Sequence, residues 1–145
     1  MAYEGRYVAR WVERHFGGSW ASECEVAFAR QPISCFVAAA HGSLAGFACH
    51  ECTSRGFFGP IGVAETYRNR GIGHRLLLRT LQDMAARGYA YAVIGGVDEG
   101  KTAFYEKAVA AVVIEGSEHG IYPRHRLVEP QRGRDERPLS HRGRR

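Results

Sequence analysis

The succession of hydrophobic periods along the chain predicts an α/β fold, an antiparallel meander first and crossover helices after it. Two observations carry that prediction. Between residues 34 and 63, short strand-like runs are separated by turns that suit antiparallel neighbours. From about residue 69 the apolar positions recur at helical spacing instead, and two further apolar runs follow with a helical stretch between them.

Helices open the chain. Tyr7, Val8, Trp11, Val12, His15 and Phe16 fall at i, i+4 and i+8 positions, and Gly17-Gly18 supply a stop. A second helix is predicted from Ser22, where Glu25 completes a capping box, and it ends before Pro32 because the residue preceding proline avoids the helical region. Ser34–Ala40, Leu44–Thr53 and Phe57–Val63 are the predicted strands, divided by His41-Gly42-Ser43 and Ser54-Arg55-Gly56. Ile72, Leu76, Leu77, Leu81, Met84 and Ala85 form the apolar face of a helix over about 69–87. Arg75, Arg79, Gln82 and Asp83 fall on its wet face, and Gly88 is placed to end it. Tyr89–Ile94 reads as a buried strand, Lys101–Lys107 as a short helix, Ala111–Ile114 as a strand and Ile121-Tyr122 as another short one.

A length of 145 residues suits one domain, and 45% hydrophobic with 24% charged residues is a globular composition, which argues against wholesale disorder. No apolar run approaches the roughly 18 residues of a membrane span. The opening Met1-Ala2-Tyr3-Glu4-Gly5-Arg6 lacks the pattern of a secretory signal, so a cytoplasmic protein with no membrane partner is expected. The formal charge is +5, but residues 129–145 hold six arginines against three acids, so +3 of it belongs to that stretch. Poor in apolar residues, it is read as a flexible Arg-rich tail following a single domain over 1–128. A nucleic-acid partner is therefore not the expectation, because the basicity belongs to the tail and not to the fold.

Cys49-His50-Glu51-Cys52 is formally a C-x-x-C, half of a zinc site or a redox pair. Within a strand, positions three apart point to opposite faces, no second C-x-x-C exists, and Cys24 and Cys35 lack finger-like spacing. Reduced core cysteines and no metal site are expected.

The junction Arg68-Asn69-Arg70-Gly71-Ile72-Gly73-His74-Arg75 carries the most chemical information. Two glycines there let the backbone turn tightly and present bare amides. The first N–H groups of a helix lack internal partners and sit in a positive potential, which suits a phosphate. A Walker A loop fails, since no Lys or Ser/Thr follows Gly73, and a dinucleotide fingerprint fails at Leu76. The bland alternative is a glycine cap on a basic surface.

In context, the segment from Gly59 to Gly73 with Leu76-Leu77 resembles the central signature of the GNAT superfamily of acyl-CoA-dependent N-acyltransferases. Ala103-Phe104-Tyr105-Glu106-Lys107 resembles a later helix of that family. The resemblance covers about residues 34–115 and implies a mixed central sheet with splayed central strands. It implies acetyl-CoA as co-substrate, with its pyrophosphate on the amides of Asn69, Arg70, Gly71, Ile72, Gly73 and His74 and the cationic Arg68 side chain beside them. Gly62 and Val63 would meet the pantetheine arm and thioester carbonyl.

By the same resemblance, Tyr105 would protonate the departing thiolate; the bland alternative is that Phe104 and Tyr105 merely pack a short amphipathic helix. Glu65, or Glu25 beside Glu23 on the second helix, is a candidate general base. The implied activity is acetyl transfer to a primary amine of a small molecule or peptide; a homodimer is offered only by analogy. Asp98 stands where relatives often have Asn, and Val109-Ala110-Ala111 replaces an expected Gly-Phe. A CoA-binding module without catalysis, or a protein acting on nucleic acid through its tail, are the competing readings.

Overall fold

Gly17 makes the first sharp turn of the chain. Its φ of 96° belongs to a backbone region that favours glycine, and its N–H donates to the carbonyl of Glu13 at 2.9 Å, closing helix α1 (Gly5–Phe16). The same residue's carbonyl accepts from Ala21 at 3.3 Å, so helix α2 (Gly18–Ala29) starts at once. The capping box expected at Ser22 is not used: α2 begins before it, with no side-chain cap.

The computed structural model describes residues 2–117, so the tail over 129–145 and the strand expected near Ile121-Tyr122 lie outside the described residues. The strands are β1 (Cys35–Ala40), β2 (Ser43–His50), β3 (Phe57–Val63) and β4 (Val93–Ile94), in the order β1-β2-β3-β4. β1, β2 and β3 form the antiparallel meander, with Cys35 opposite Cys49 and Phe47 opposite Gly62. Helix α3 (Ile72–Ala86) crosses over to β4, which runs parallel to β3. Helix α4 (Glu99–Val109) follows. This mixed α/β architecture is the predicted one.

β2 is buried from Ala45 to His50 because both of its faces are covered. Phe47 and Cys49 turn to α1 and α2, packing with Val8, Trp11, Val12 and Cys24. His50 turns the other way and reaches α3. On that side Phe58, Leu77 and Met84 form a second core, joined by residues of α4. The molecule is thus three layers: α1 and α2, the sheet, then α3 and α4.

Four expectations are corrected. The strand Leu44–Thr53 stops at His50, since Glu51 adopts φ 57° and turns the chain away. The long helix starts at Ile72 and not near 69, because Asn69 and Gly71 take left-handed conformations (φ 60° and 74°). Of Tyr89–Ile94 only Val93 and Ile94 pair, opposite Phe57 and Phe58. Ala111–Ile114 forms no strand among the described residues: Val112 is 86% and Val113 68% exposed, and apolar composition without a neighbouring strand there makes no ladder.

The supposed wet face of α3 also contains a pairing that periodicity could not reveal. Asp83 Oδ2 accepts from His50 Nε2 at 2.9 Å and from Arg87 Nε at 2.6 Å. Beside it, the Tyr89 hydroxyl donates to Glu51 Oε1. Among the described residues no helix is long and apolar enough to cross a membrane.

Candidate functional site

β4 pairs with only the first two residues of β3, so from Gly59 to Val63 that edge of β3 has no neighbouring strand among the described residues. The amide of Ala64 donates to Ala45 of β2 at 2.9 Å. Because backbone groups alternate along a strand, those of Val63 and Ile61 then turn to the open edge and those of Gly62 turn to β2. The Val63 carbonyl accepts from Arg68 Nε at 3.2 Å. Its N–H is left facing the gap.

Gly62 has a different task. A Cβ there would fall 2.7 Å from Phe16 Cζ, so the absent side chain makes room for the ring that ends α1. Phe16 packs in turn on Phe47, with ring centroids 5.6 Å apart.

The chain leaves β3 through a 3-10 turn, Glu65–Tyr67, on which Glu65 is exposed. Asn69 and Gly71 then curl the backbone, and α3 begins with Gly71 as N-cap and no side-chain cap. The Arg75 amide donates to the Gly71 carbonyl at 3.1 Å. The amides of Ile72, Gly73 and His74 therefore have no acceptor in the preceding turn, at the positive end of the helix. Arg68, Arg70, Gly71 and His74 are exposed around them, and the Arg70 guanidinium lies over the Tyr67 ring at 5.9 Å.

Three elements converge at this loop. A Cβ on Gly73 would be 3.6 Å from Val63 Cγ2 and 3.9 Å from Phe104 Cζ, which brings together the end of β3, the first turn of α3 and α4. Phe104 is 39% exposed, whereas the neighbouring Tyr105 is half-buried and packs edge-on to Phe58 at 6.3 Å. Burial holds the Tyr105 phenol above its ordinary pKa, so it stays protonated at neutral pH. Phe104 is a residue that sequence reasoning did not select for the site. Phe104 looked only like helix packing, and the openness of the edge at Ile61 is set by how briefly β4 pairs.

Of the candidate bases, Glu65 lies on the turn that enters this loop, and those of α2 do not. Glu25 lines a groove between α1 and α2 with Arg6, Arg10 and Glu13, in the layer across the sheet from the core that holds Tyr105. Glu23 accepts from the Thr53 hydroxyl at 2.9 Å.

An open-edged strand feeds an uncapped glycine loop inside a mixed sheet flanked by helices, and the free amides of that loop suit an anionic ligand. Residues 6–110 match the model of the acetyltransferase (GNAT) family, and the chain belongs to that family, a family of acyltransferases. No curated protein matches it. Among solved structures, a ribosomal-protein-alanine N-acetyltransferase from Brucella melitensis biovar Abortus 2308 shares the fold with a TM-score of 0.56. It is 17% identical, over 77% of this chain and 88% of that one.

A Pyrococcus horikoshii protein provisionally classed as an acetyltransferase gives 0.55 at 20% identity, over 74% of this chain. The chain spans only 40% of that protein's length. An aminoglycoside acetyltransferase from an uncultured soil metagenomic sample, in complex with sisomicin, gives 0.51 at 14% identity, over 75% and 81% of the two chains.

Proposed function

We propose that the protein transfers an acetyl group from acetyl-CoA to a primary amine by direct attack. The observation that carries this reading is the uncapped first turn of α3 beside the left-handed residues Asn69 and Gly71. Amides in that arrangement form a concave anion seat, and the coenzyme's diphosphate is the anion it fits. Arg68, Arg70 and His74 add cationic or hydrogen-bonding groups around the seat.

From there the pantetheine arm would run along the open edge of β3. The amine nitrogen bonds to the thioester carbon, whose carbonyl oxygen takes up negative charge. Collapse breaks the carbon–sulfur bond, giving an amide and a thiolate. The Val63 N–H faces the gap where that oxyanion develops, and one such preorganised donor is worth about 2.7–4 kcal/mol. Gly62 supports it by admitting Phe16 behind the strand.

The nitrogen gives up one proton and the departing sulfur takes one. Tyr105, kept protonated by burial, is the donor to sulfur in this reading. Glu65, exposed on the turn that enters the loop, or Glu25 on α2 would accept the amine's proton, with water as relay. The acceptor is a small-molecule or peptide amine; the fold shared with the sisomicin-bound aminoglycoside acetyltransferase favours a class of that kind.

Packing of Tyr105 on Phe58 supports a second reading, a CoA-binding module in which the tyrosine only fills the core. Tyr105→Phe separates the two because it keeps the ring and removes only the hydroxyl. Free-thiol release from acetyl-CoA would be followed over a panel of amines. An enzyme loses at least tenfold in kcat with CoA affinity unchanged; undiminished turnover would remove Tyr105 from the mechanism, and no turnover with any amine would favour the module.

A further inference from the structure

Cys24, Cys35 and Cys49 lie far apart in sequence and come from α2, β1 and β2, yet their sulfurs all lie within 4.8 Å of one another. Cys35 and Cys49 are cross-strand partners on the face that α2 covers. Cys24 Sγ stands 3.9 Å from Cys35 Sγ. Cys24 and Cys49 are fully buried.

The fourth cysteine lies outside that group of three sulfurs but packs on the same core. Because β2 ends at His50 and Glu51 adopts φ 57°, Cys52 does not continue the strand's alternation; it packs against the core cluster that contains Cys24 and Cys49. Its thiol is 3.6 Å from the His50 carbonyl. Cys49 and Cys52 are therefore not held to opposite faces of one strand.

We propose that Cys24, Cys35, Cys49 and Cys52 form a closed, structural thiolate site for a zinc ion. Tetrahedral zinc with sulfur at about 2.3 Å sets its ligands about 3.8 Å apart, close to the Cys24–Cys35 spacing. A disulfide between Cys24 and Cys35 would have to close their sulfurs from 3.9 Å to about 2.05 Å, and all four cysteines are free thiols.

The remaining donors of the turn are committed elsewhere. His50 bonds Asp83 on the opposite face of the sheet, and Glu51 bonds Tyr89. That leaves an all-sulfur set, two of its members buried and two partly buried, which suits a soft or borderline cation with no open coordination position. Arg30, which ends α2, reaches the same turn, with Nη1 3.8 Å from Glu51 Oε2. Its buried Nε has no hydrogen-bond partner, so a cation stands at the turn that four thiolates around one zinc would make negative. Binding would displace the thiol protons to solvent and tie α2 to β1 and β2. The inference is independent of the acyl-transfer reading.

The test uses the full chain, reduced and stripped of metal under anaerobic conditions, then titrated with Co2+. A single equivalent is expected to raise thiolate-to-cobalt charge transfer and intense tetrahedral d–d bands, which Zn2+ then abolishes. Zn2+ at a hundredfold excess over Kd is expected to raise the melting temperature by roughly 5–11 °C. Cys24→Ala should abolish the bands. Should that buried variant fail to fold, Cys52→Ser at the rim is expected to weaken apparent Zn2+ affinity at least tenfold.

Absence of cobalt bands in the reduced wild type would overturn the proposal. So would bands that survive in folded Cys24→Ala, or Zn2+ affinity unchanged in Cys52→Ser. A Cys24–Cys35 disulfide in isolated protein that binds no cobalt after reduction would overturn it as well.

Discussion

Replacing Gly71 by Glu separates what the glycine does for the fold from what it does for the ligand. Gly71 has φ 74°, and a Cβ there would meet nothing within 4 Å, so any L side chain suffers backbone strain and no collision. That strain amounts to about 1–2 kcal/mol. A carboxylate at the positive end of α3 restores about 0.3–1 kcal/mol. The net loss is therefore about 1 kcal/mol, which lowers the melting temperature by roughly 2–4 °C in a domain of this size.

The ligand effect is larger. CoA at a hundredfold excess over its Kd stabilises the wild type by about 2.7 kcal/mol, roughly 5–11 °C. With a carboxylate in the anion seat that shift should vanish, while Gly71→Ala, equally strained but uncharged, should retain most of it. Differential scanning fluorimetry with and without CoA reads all of these values. A Gly71→Glu protein that keeps the full CoA shift would refute the anion seat, and an equal loss in Gly71→Ala would assign the effect to backbone strain.

Two further expectations concern the frame of the site. Gly62→Ala forces a methyl to within 2.7–2.9 Å of three Phe16 ring atoms, an overpacking cost of about 1–3 kcal/mol that Phe16→Leu should partly relieve. Urea unfolding of both single variants and the double variant measures the coupling; strict additivity would exclude the contact. The carboxyl of Asp83 is disfavoured in its charged form by burial, yet its pKa is lowered because hydrogen bonds from His50 and Arg87 outweigh that cost. A depressed folded-state pKa contributes stability above the unfolded value of about 3.9 that is lost as pH falls through the folded one. Asp83→Asn should accordingly lower stability at pH 7 and flatten the acid limb of the stability profile between about pH 5 and pH 2; an unchanged limb would contradict the pairing.

Sequence by itself determined the elements whose signal is local. Alternation and tight turns mark β1, β2 and β3, the apolar stripe marks α3, and Gly17-Gly18 mark the break between α1 and α2. The glycine loop was legible for the same reason, since the residues that bend it and expose its amides are consecutive. Tertiary structure decided everything that depends on partners. Ala111–Ile114 has the composition of a strand but, among the described residues, no neighbouring strand to pair with, and β4 shrinks to the two residues that reach β3.

Asp83 looked solvated until His50, on a different element, proved to be its partner. Phe104 reached the glycine loop through the placement of α4, which no periodicity encodes. The cysteines make the point most directly. Their sequence spacing argues against a shared site, and a cross-strand register, a helix laid over it and one left-handed residue bring Cys24, Cys35 and Cys49 together and fold Cys52 back onto the same core. Side-chain spacing along a chain constrains neighbours within an element, whereas neighbours between elements follow from how the layers pack.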